Sequence, residues 1–118
     1  MVRALAAALA AWAATVAAQP HSARECREAG DFIRNAALAR DSGATREFFV
    51  GRLEDDLATI RAFPPALRWF VRDAADEDFL RTEVHAVFDD PAAGERHRDG
   101  FLERCALRAE RLARGAGG

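Results

Sequence analysis

The sequence lacks several features on which common functions depend. It contains no lysine and no tyrosine, so its 17 basic residues are all arginine, and they nearly balance 19 acidic residues. A domain without an excess of positive charge has no electrostatic basis for binding nucleic acid. We interpret the arginine bias, together with the abundance of alanine, as the result of a GC-rich coding sequence and not of function.

Catalytic motifs are also missing. Few hydroxyl side chains follow residue 18; most of them, Ser22 and Thr45 included, fall where helix caps are expected, and none lies in a Gly-x-Ser-x-Gly turn. The haem motif Cys-x-x-Cys-His and the metal motifs His-Glu-x-x-His and Glu-x-x-His are absent. We therefore predict a protein that is not an enzyme and carries no cofactor.

Paired carboxylates are the remaining candidates for acid–base chemistry. They occur at Asp55-Asp56, Asp76-Glu77-Asp78 and Asp89-Asp90. Each run lies where solvated charge or helix capping explains it, whereas a catalytic acid usually needs burial to adjust its pKa. We expect all three runs to be exposed.

The first 18 residues have the organisation of a secretory signal. Arg3 lies in a short basic start, residues 4–16 form an apolar run, and Val16-Ala17-Ala18 places small residues where a signal peptidase reads them. The run is too short for a comfortable membrane span. We predict cleavage after Ala18, a periplasmic or secreted protein and no stable membrane insertion after cleavage. Cleavage after Ala17 and an uncleaved anchor are the alternatives.

The remaining 100 residues, 19–118, suffice for a single domain. Apolar residues recur at spacings of three and four without the alternation of a strand, which predicts an all-α fold, a small four- or five-helix bundle or array. The clearest apolar stripe consists of Phe49, Leu53, Leu57 and Ile60. The predicted helices are 23–40, 46–62, 77–88 and 95–113, with a short helix from Pro65 to Val71 and a frayed tail from about residue 114.

Two cysteines, Cys26 and Cys105, fall on the apolar stripes of the first and last helices. An exported chain meets an oxidising compartment, where an even number of cysteines usually means pairing. Closing a loop of about 80 residues stabilises a domain by roughly 4 kcal/mol in the chain-entropy model. We predict a Cys26–Cys105 disulfide; the alternative is two free or intermolecularly bonded thiols.

Three features follow one another in a particular order along the chain. Cys26 lies near the start of the first helix, Arg40-Asp41-Ser42-Gly43 ends it, and a break at Pro91 precedes Phe101-Leu102-Glu103-Arg104-Cys105. This order resembles a group of small exported bacterial helical proteins with two cysteines and no assigned activity. The resemblance implies an exported helical domain with a Cys-to-Cys bridge, and it implies no catalytic or binding residue.

One short turn combines aromatic and arginine side chains, the types that are enriched at binding hot spots. This turn is therefore the candidate surface for a protein partner. Its members are Arg61, Arg68, Trp69, Phe70 and Arg72. The alternative is that Trp69 and Phe70 fill the core while the arginines face water.

A metal site is the second candidate. His85 and Asp89 are four residues apart and share a helix face, and His97 lies at the start of the last helix. These groups could hold Zn²⁺ only if the two helix ends converge. The alternative is that His85 and Asp89 form a surface pair.

The leading functional hypothesis is therefore a non-enzymatic, exported interaction or stress-related protein with an unidentified protein partner. A variant is a periplasmic chaperone that opens in acid, because protonating the carboxylates leaves a strongly positive chain. The second hypothesis is a periplasmic protein that binds a metal or small ligand through His85, Asp89 and His97. An enzyme is the third.

Overall fold

The computed structural model describes residues 19–117, so the predicted signal segment lies outside the described residues. Residues 19–117 form four α-helices and no strand, which confirms the predicted all-α fold. The helices are α1 (Ala23–Asp41), α2 (Arg46–Ile60), α3 (Ala74–Asp89) and α4 (Gly94–Gly117). A single 3₁₀ turn, Pro65–Leu67, lies between α2 and α3.

The side chains before the first three helices fix where those helices begin. The Ser22 hydroxyl accepts the Glu25 N–H at 3.1 Å, and the Glu25 carboxylate accepts the Ser22 N–H at 3.0 Å, which is a capping box. The Thr45 and Asp73 side chains cap α2 and α3 in the simpler way, each accepting one backbone N–H. Because Asp73 is the cap, α3 begins at Ala74, three residues before its predicted start.

The other predicted boundaries also need correction. Helix α2 ends at Ile60, two residues before the predicted end, ahead of the proline pair that follows it. The helix predicted from Pro65 to Val71 is only a 3₁₀ turn that ends at Leu67, because the backbone of Arg68 is extended and Phe70 has a φ of 45°, which no right-handed helix contains. The tail predicted to fray from about residue 114 is helical as far as Gly117. The positive charge of Arg114 in the last turn interacts favourably with the helix dipole.

Helices α1 and α4 form the principal packing pair. Asp31 pairs with Arg98 at 2.8 Å and Arg34 with Glu95 at 3.3 Å, so the position on α4 falls as that on α1 rises and the helices are antiparallel. Their contact is close because it uses small residues: a Cβ added at Gly30 would lie 3.2 Å from a Leu102 methyl group. The predicted Cys26–Cys105 disulfide joins the same two helices, with Cα atoms 5.9 Å apart.

Helix α3 lies against both α1 and α2, and the core forms where these helices and α4 meet. The largest fully buried side chains of the core are Phe70, Phe101, Ile33, Leu57, Leu80, Val71, Val84 and Val87. Helix α2 packs on α3 and buries Leu53 and Leu57, but it touches α1 only lightly, so a groove stays open between α1 and α2. No helix within residues 19–117 is long and apolar enough to cross a bilayer.

Candidate functional site: an aromatic groove between the first two helices

The arginines of the predicted partner surface hold the turn between α2 and α3 together. Arg68 donates from its guanidinium to three backbone carbonyls: Phe63 at 2.7 Å, and Arg61 and Arg72 at 3.1 Å each. Carbonyls in an irregular turn need such donors because no helix or sheet partner reaches them. Arg68 is therefore a clamp inside the molecule.

The other two arginines of that surface are also bound within the fold. Arg61 lies 2.5 Å from the buried carboxylate of Glu77. Arg72 lies 2.5 Å from Glu25 on α1 and also donates to the Gln19 carbonyl at 3.1 Å. Both guanidiniums thus fasten the turn to neighbouring segments, and binding a partner through them would first break these contacts.

The aromatic pair in the turn is divided between core and surface. Phe70 is only 2% exposed, and its ring stacks on His21 with centroids 4.0 Å apart, so it is not part of any docking surface. Trp69 is 37% exposed and lies edge-on to Phe32 of α1 at 5.7 Å. Of the five predicted surface residues, only Trp69 presents an apolar face to solvent.

The open groove between α1 and α2 has the chemistry that the predicted surface lacks. Its volume is about 290 Å³, and its lining is mostly apolar. The apolar lining residues are Phe32 and Ala39 from α1, Ala44, and Phe48, Phe49 and Leu53 from α2. Arg52 and Asp56 complete it from α2. Phe48 is 61% exposed, the largest exposed fraction of any phenylalanine that the structure describes.

Trp69 extends this groove toward the turn. The rings of Phe49, Phe32 and Trp69 follow one another at centroid distances of 5.8 and 5.7 Å, which is the range of favourable aromatic pairs. We call the set formed by Phe32, Phe48, Phe49, Leu53 and Trp69 the aromatic groove. Of these five residues, the sequence alone assigns only Trp69 to a candidate binding surface. The available signal was Phe48, a large apolar residue that falls off the apolar stripe of its own helix.

A larger cleft, of about 550 Å³, lies beside the turn and is lined by Gln19, Pro65, Ala66, Arg72, Asp73 and Asp76. Its charged groups already serve the fold. Arg72 is bound to Glu25, Asp73 caps α3, and Asp76 lies 2.8 Å from Arg108. The cleft is therefore a weaker candidate for a ligand site than the aromatic groove.

The structure does not assemble the metal site considered from the sequence. Arg46 donates to Nδ1 of His85 at 3.1 Å and also forms an ion pair with Asp89. His97 is buried, and its Nε2 donates to the Asp90 carbonyl at 2.9 Å. Among the described residues, no group of three or more His, Cys, Asp or Glu side chains lies close enough to hold a metal ion.

The expectation that all the carboxylate runs are exposed is wrong for Asp76 and Glu77, both of which are buried. The hydrogen bond from Arg61, followed by the charges of Arg61 and Arg81, outweighs the burial of Glu77 and lowers its pKa below the ordinary value. A general acid needs the opposite shift, toward neutral pH. The geometry therefore makes Glu77 an ionised anchor for two arginines.

Comparison with protein-family models, curated proteins and solved structures finds no match to this chain. The functional argument therefore depends on the residues of the groove and of the fold that presents it.

Proposed function

We propose that this protein is an exported, non-enzymatic interaction protein whose aromatic groove binds an apolar segment of a protein partner. The observation that carries the proposal is the exposed ring of Phe48 beside an open groove that Phe32, Phe49 and Leu53 line. Large aromatic side chains at the edge of a concave apolar surface are the groups that most often dominate binding energy. Exposing them costs the free protein stability and solubility, which a bound partner would offset.

A groove between two helices favours an occupant that is itself helical. An amphipathic helix can lay apolar side chains spaced by three and four into such a groove. Arg52 and Asp56 lie at the groove together with its apolar lining, so one positive and one negative group are available to fix the register of that helix. The preferred occupant is therefore an amphipathic helix with an apolar stripe and flanking charges of both signs.

Export is the second part of the proposal, and two features support it. The disulfide between α1 and α4 suits an oxidising compartment. In addition, Gln19 and His21, directly after the predicted cleavage site, are held in the fold by Arg72 and by the Phe70 carbonyl. Cleavage after Ala18 would leave both of these contacts intact.

The test of groove binding uses a displayed library of amphipathic helical peptides, selected on the oxidised protein. We expect Phe48→Asp to weaken the binding of the selected peptides at least about tenfold, because it removes the exposed ring and places a charged group at the apolar groove. Isothermal titration calorimetry measures the affinity. Leu107→Asp is the matched control, since Leu107 is 50% exposed on α4 and does not line the groove.

Thermal unfolding followed by circular dichroism shows whether either variant loses its fold. The emission of Trp69, beside Phe32, gives an independent reading of groove occupancy. Peptides that bind Phe48→Asp as well as they bind the unchanged protein, or that lose affinity equally for Leu107→Asp, would place binding elsewhere and contradict the proposal.

A further inference from the structure

Three residues spaced by four form one row along α2: Phe48, Arg52 and Asp56. All three line the groove and are exposed, whereas Ile60 at the end of the helix is half-buried and packs against the core. Residues separated by four positions stack on one face of a helix. The row therefore reads, in order along the exposed face, apolar, positive, negative.

The two charges in this row have no partner within the described part of the chain. Most other charged side chains of residues 19–117 take part in ion pairs, but Arg52 and Asp56 take part in none of them. They do not pair with each other either, although they are four residues apart. An order with the positive residue first is the less favourable one in a helix. Both charges are thus available at the mouth of an apolar groove.

We propose that a second copy of this chain docks on the aromatic groove and forms a two-fold symmetric dimer with α2 against α2. The inference rests on the proposed function of the groove and names its occupant. When two copies of α2 run antiparallel with the axis midway between positions 52 and 56, Arg52 of each copy faces Asp56 of the other. The same axis places Phe48 of each copy beside the last turn of the other copy's α2.

The order of the row selects this arrangement over others. In a parallel pairing each residue would face its own copy, so Arg52 would oppose Arg52 and Asp56 would oppose Asp56. Only the antiparallel arrangement pairs opposite charges, and two-fold symmetry makes each pair occur twice.

A charge reversal tests the proposal directly. Sedimentation equilibrium of the full chain, expressed with residues 1–18 and recovered in oxidised form, gives the dimer dissociation constant. We expect Arg52→Asp and Asp56→Arg each to raise that constant at least about tenfold, because each creates two like-charge contacts across the axis. The double variant Arg52→Asp with Asp56→Arg restores opposite charges, and we expect its constant to return to within about threefold of the original.

Arg96→Asp is the matched control, since Arg96 is an exposed arginine on α4 that takes no part in the ion pairs of the described residues. Circular dichroism shows whether a single variant has lost its fold. In that case the test is whether the double variant recovers the dissociation constant of the unchanged protein. A chain that stays monomeric at millimolar concentration, or a dimer that Arg52→Asp weakens no more than Arg96→Asp does, overturns the proposal. Peptide binding that still depends on Phe48 would in that case leave the proposed function standing with a foreign helix as the occupant.

Discussion

Asp76 is a buried carboxylate that joins three segments of the chain. It is 4% exposed, and one oxygen lies 2.8 Å from the guanidinium of Arg108 on α4. Its other oxygen accepts the backbone N–H of Arg72 at 3.0 Å and lies 3.6 Å from the ring of His21. A buried ion pair contributes stability only while both partners are present, because a single buried charge is costly.

We expect Asp76→Asn to lower the free energy of unfolding by about 3 kcal/mol, since it leaves the enclosed Arg108 guanidinium without a countercharge. Urea unfolding followed by circular dichroism measures the change. Asp78→Asn is the control, two residues further along α3, where Asp78 is mostly exposed in its pair with Arg81. It should cost less than about 1 kcal/mol. Equal losses for the two variants would show that Asp76 does not have this structural role.

The backbone at Phe70 decides which aromatic residue of the turn is available for binding. Its φ of 45° is rare for a bulky side chain and costs free energy that the surrounding structure must offset. The Val71 N–H donates to the Trp69 carbonyl to close a three-residue turn, and His21 donates from Nε2 to the Phe70 carbonyl at 2.6 Å. This turn directs Phe70 into the core and leaves Trp69 at the edge of the groove.

At the scale of the helices, α2 is fastened to α3 by a line of charged groups. Arg81 on α3 lies 2.6 Å from Glu54 on α2 and 3.2 Å from Glu77 on its own helix. Glu77 in turn contacts Arg61 just beyond the end of α2. The hydrogen bond from Arg81 lowers the pKa of Glu54, as the hydrogen bond from Arg61 does for Glu77. Both carboxylates stabilise the fold only while they are ionised.

The lowered pKa values set the direction of the pH dependence. Their contribution is fully present above the ordinary glutamate pKa of 4.5 and is lost as the pH falls through the lower pKa values of the folded state. We expect the free energy of unfolding to change little from about pH 7 to pH 5 and to fall steeply toward about pH 3. Urea unfolding at a series of pH values measures this.

Glu77→Gln is the matched variant for the acid series. It should be less stable than the unchanged protein near neutral pH and should lose less on acidification, because one of the titrating groups is gone. Unchanged stability down to about pH 3 would contradict both the assigned role of the network and the hypothesis of a chaperone that opens in acid.

The parts of this fold that follow a period could be predicted from the sequence. Leu53, Leu57, Leu80 and Val84 recur at helical spacings, and all four are buried as predicted. The groove could not be predicted in this way. The period of α2 places Phe49 on the apolar stripe and Phe48 off it, but it does not show that Phe32 of α1 lies nearby and that a groove stays open between the two helices.

Charged residues were harder to place than apolar ones, for the same reason. Glu77 and Asp78 are adjacent acids at the start of α3, yet one is buried between two arginines and the other is mostly exposed. Arg68 looked like part of a binding surface but serves as a clamp for backbone carbonyls. Which of these roles a charge takes depends on distant segments, and a single sequence does not give their positions.

On the scale of the whole molecule, one closely packed pair of helices supports a more open element. Helices α1 and α4 are joined along their small residues and by the Cys26–Cys105 disulfide, which closes most of the described chain into one loop. In the chain-entropy model such a loop contributes roughly 4 kcal/mol, a large share of the stability of a small domain. Helix α2 lies outside this pair and presents the groove.

The account therefore depends on the proposed export and on oxidation of the two cysteines, and the intact mass of the protein is the most direct test. The full coding sequence is expressed in a bacterial host, the periplasmic fraction is collected, and the intact mass is measured with and without an alkylating reagent. We predict a chain that begins at Gln19, is two hydrogen atoms lighter than its reduced form and takes up no reagent under native conditions. A soluble cytosolic product that keeps Met1 and is alkylated at both Cys26 and Cys105 would contradict the account.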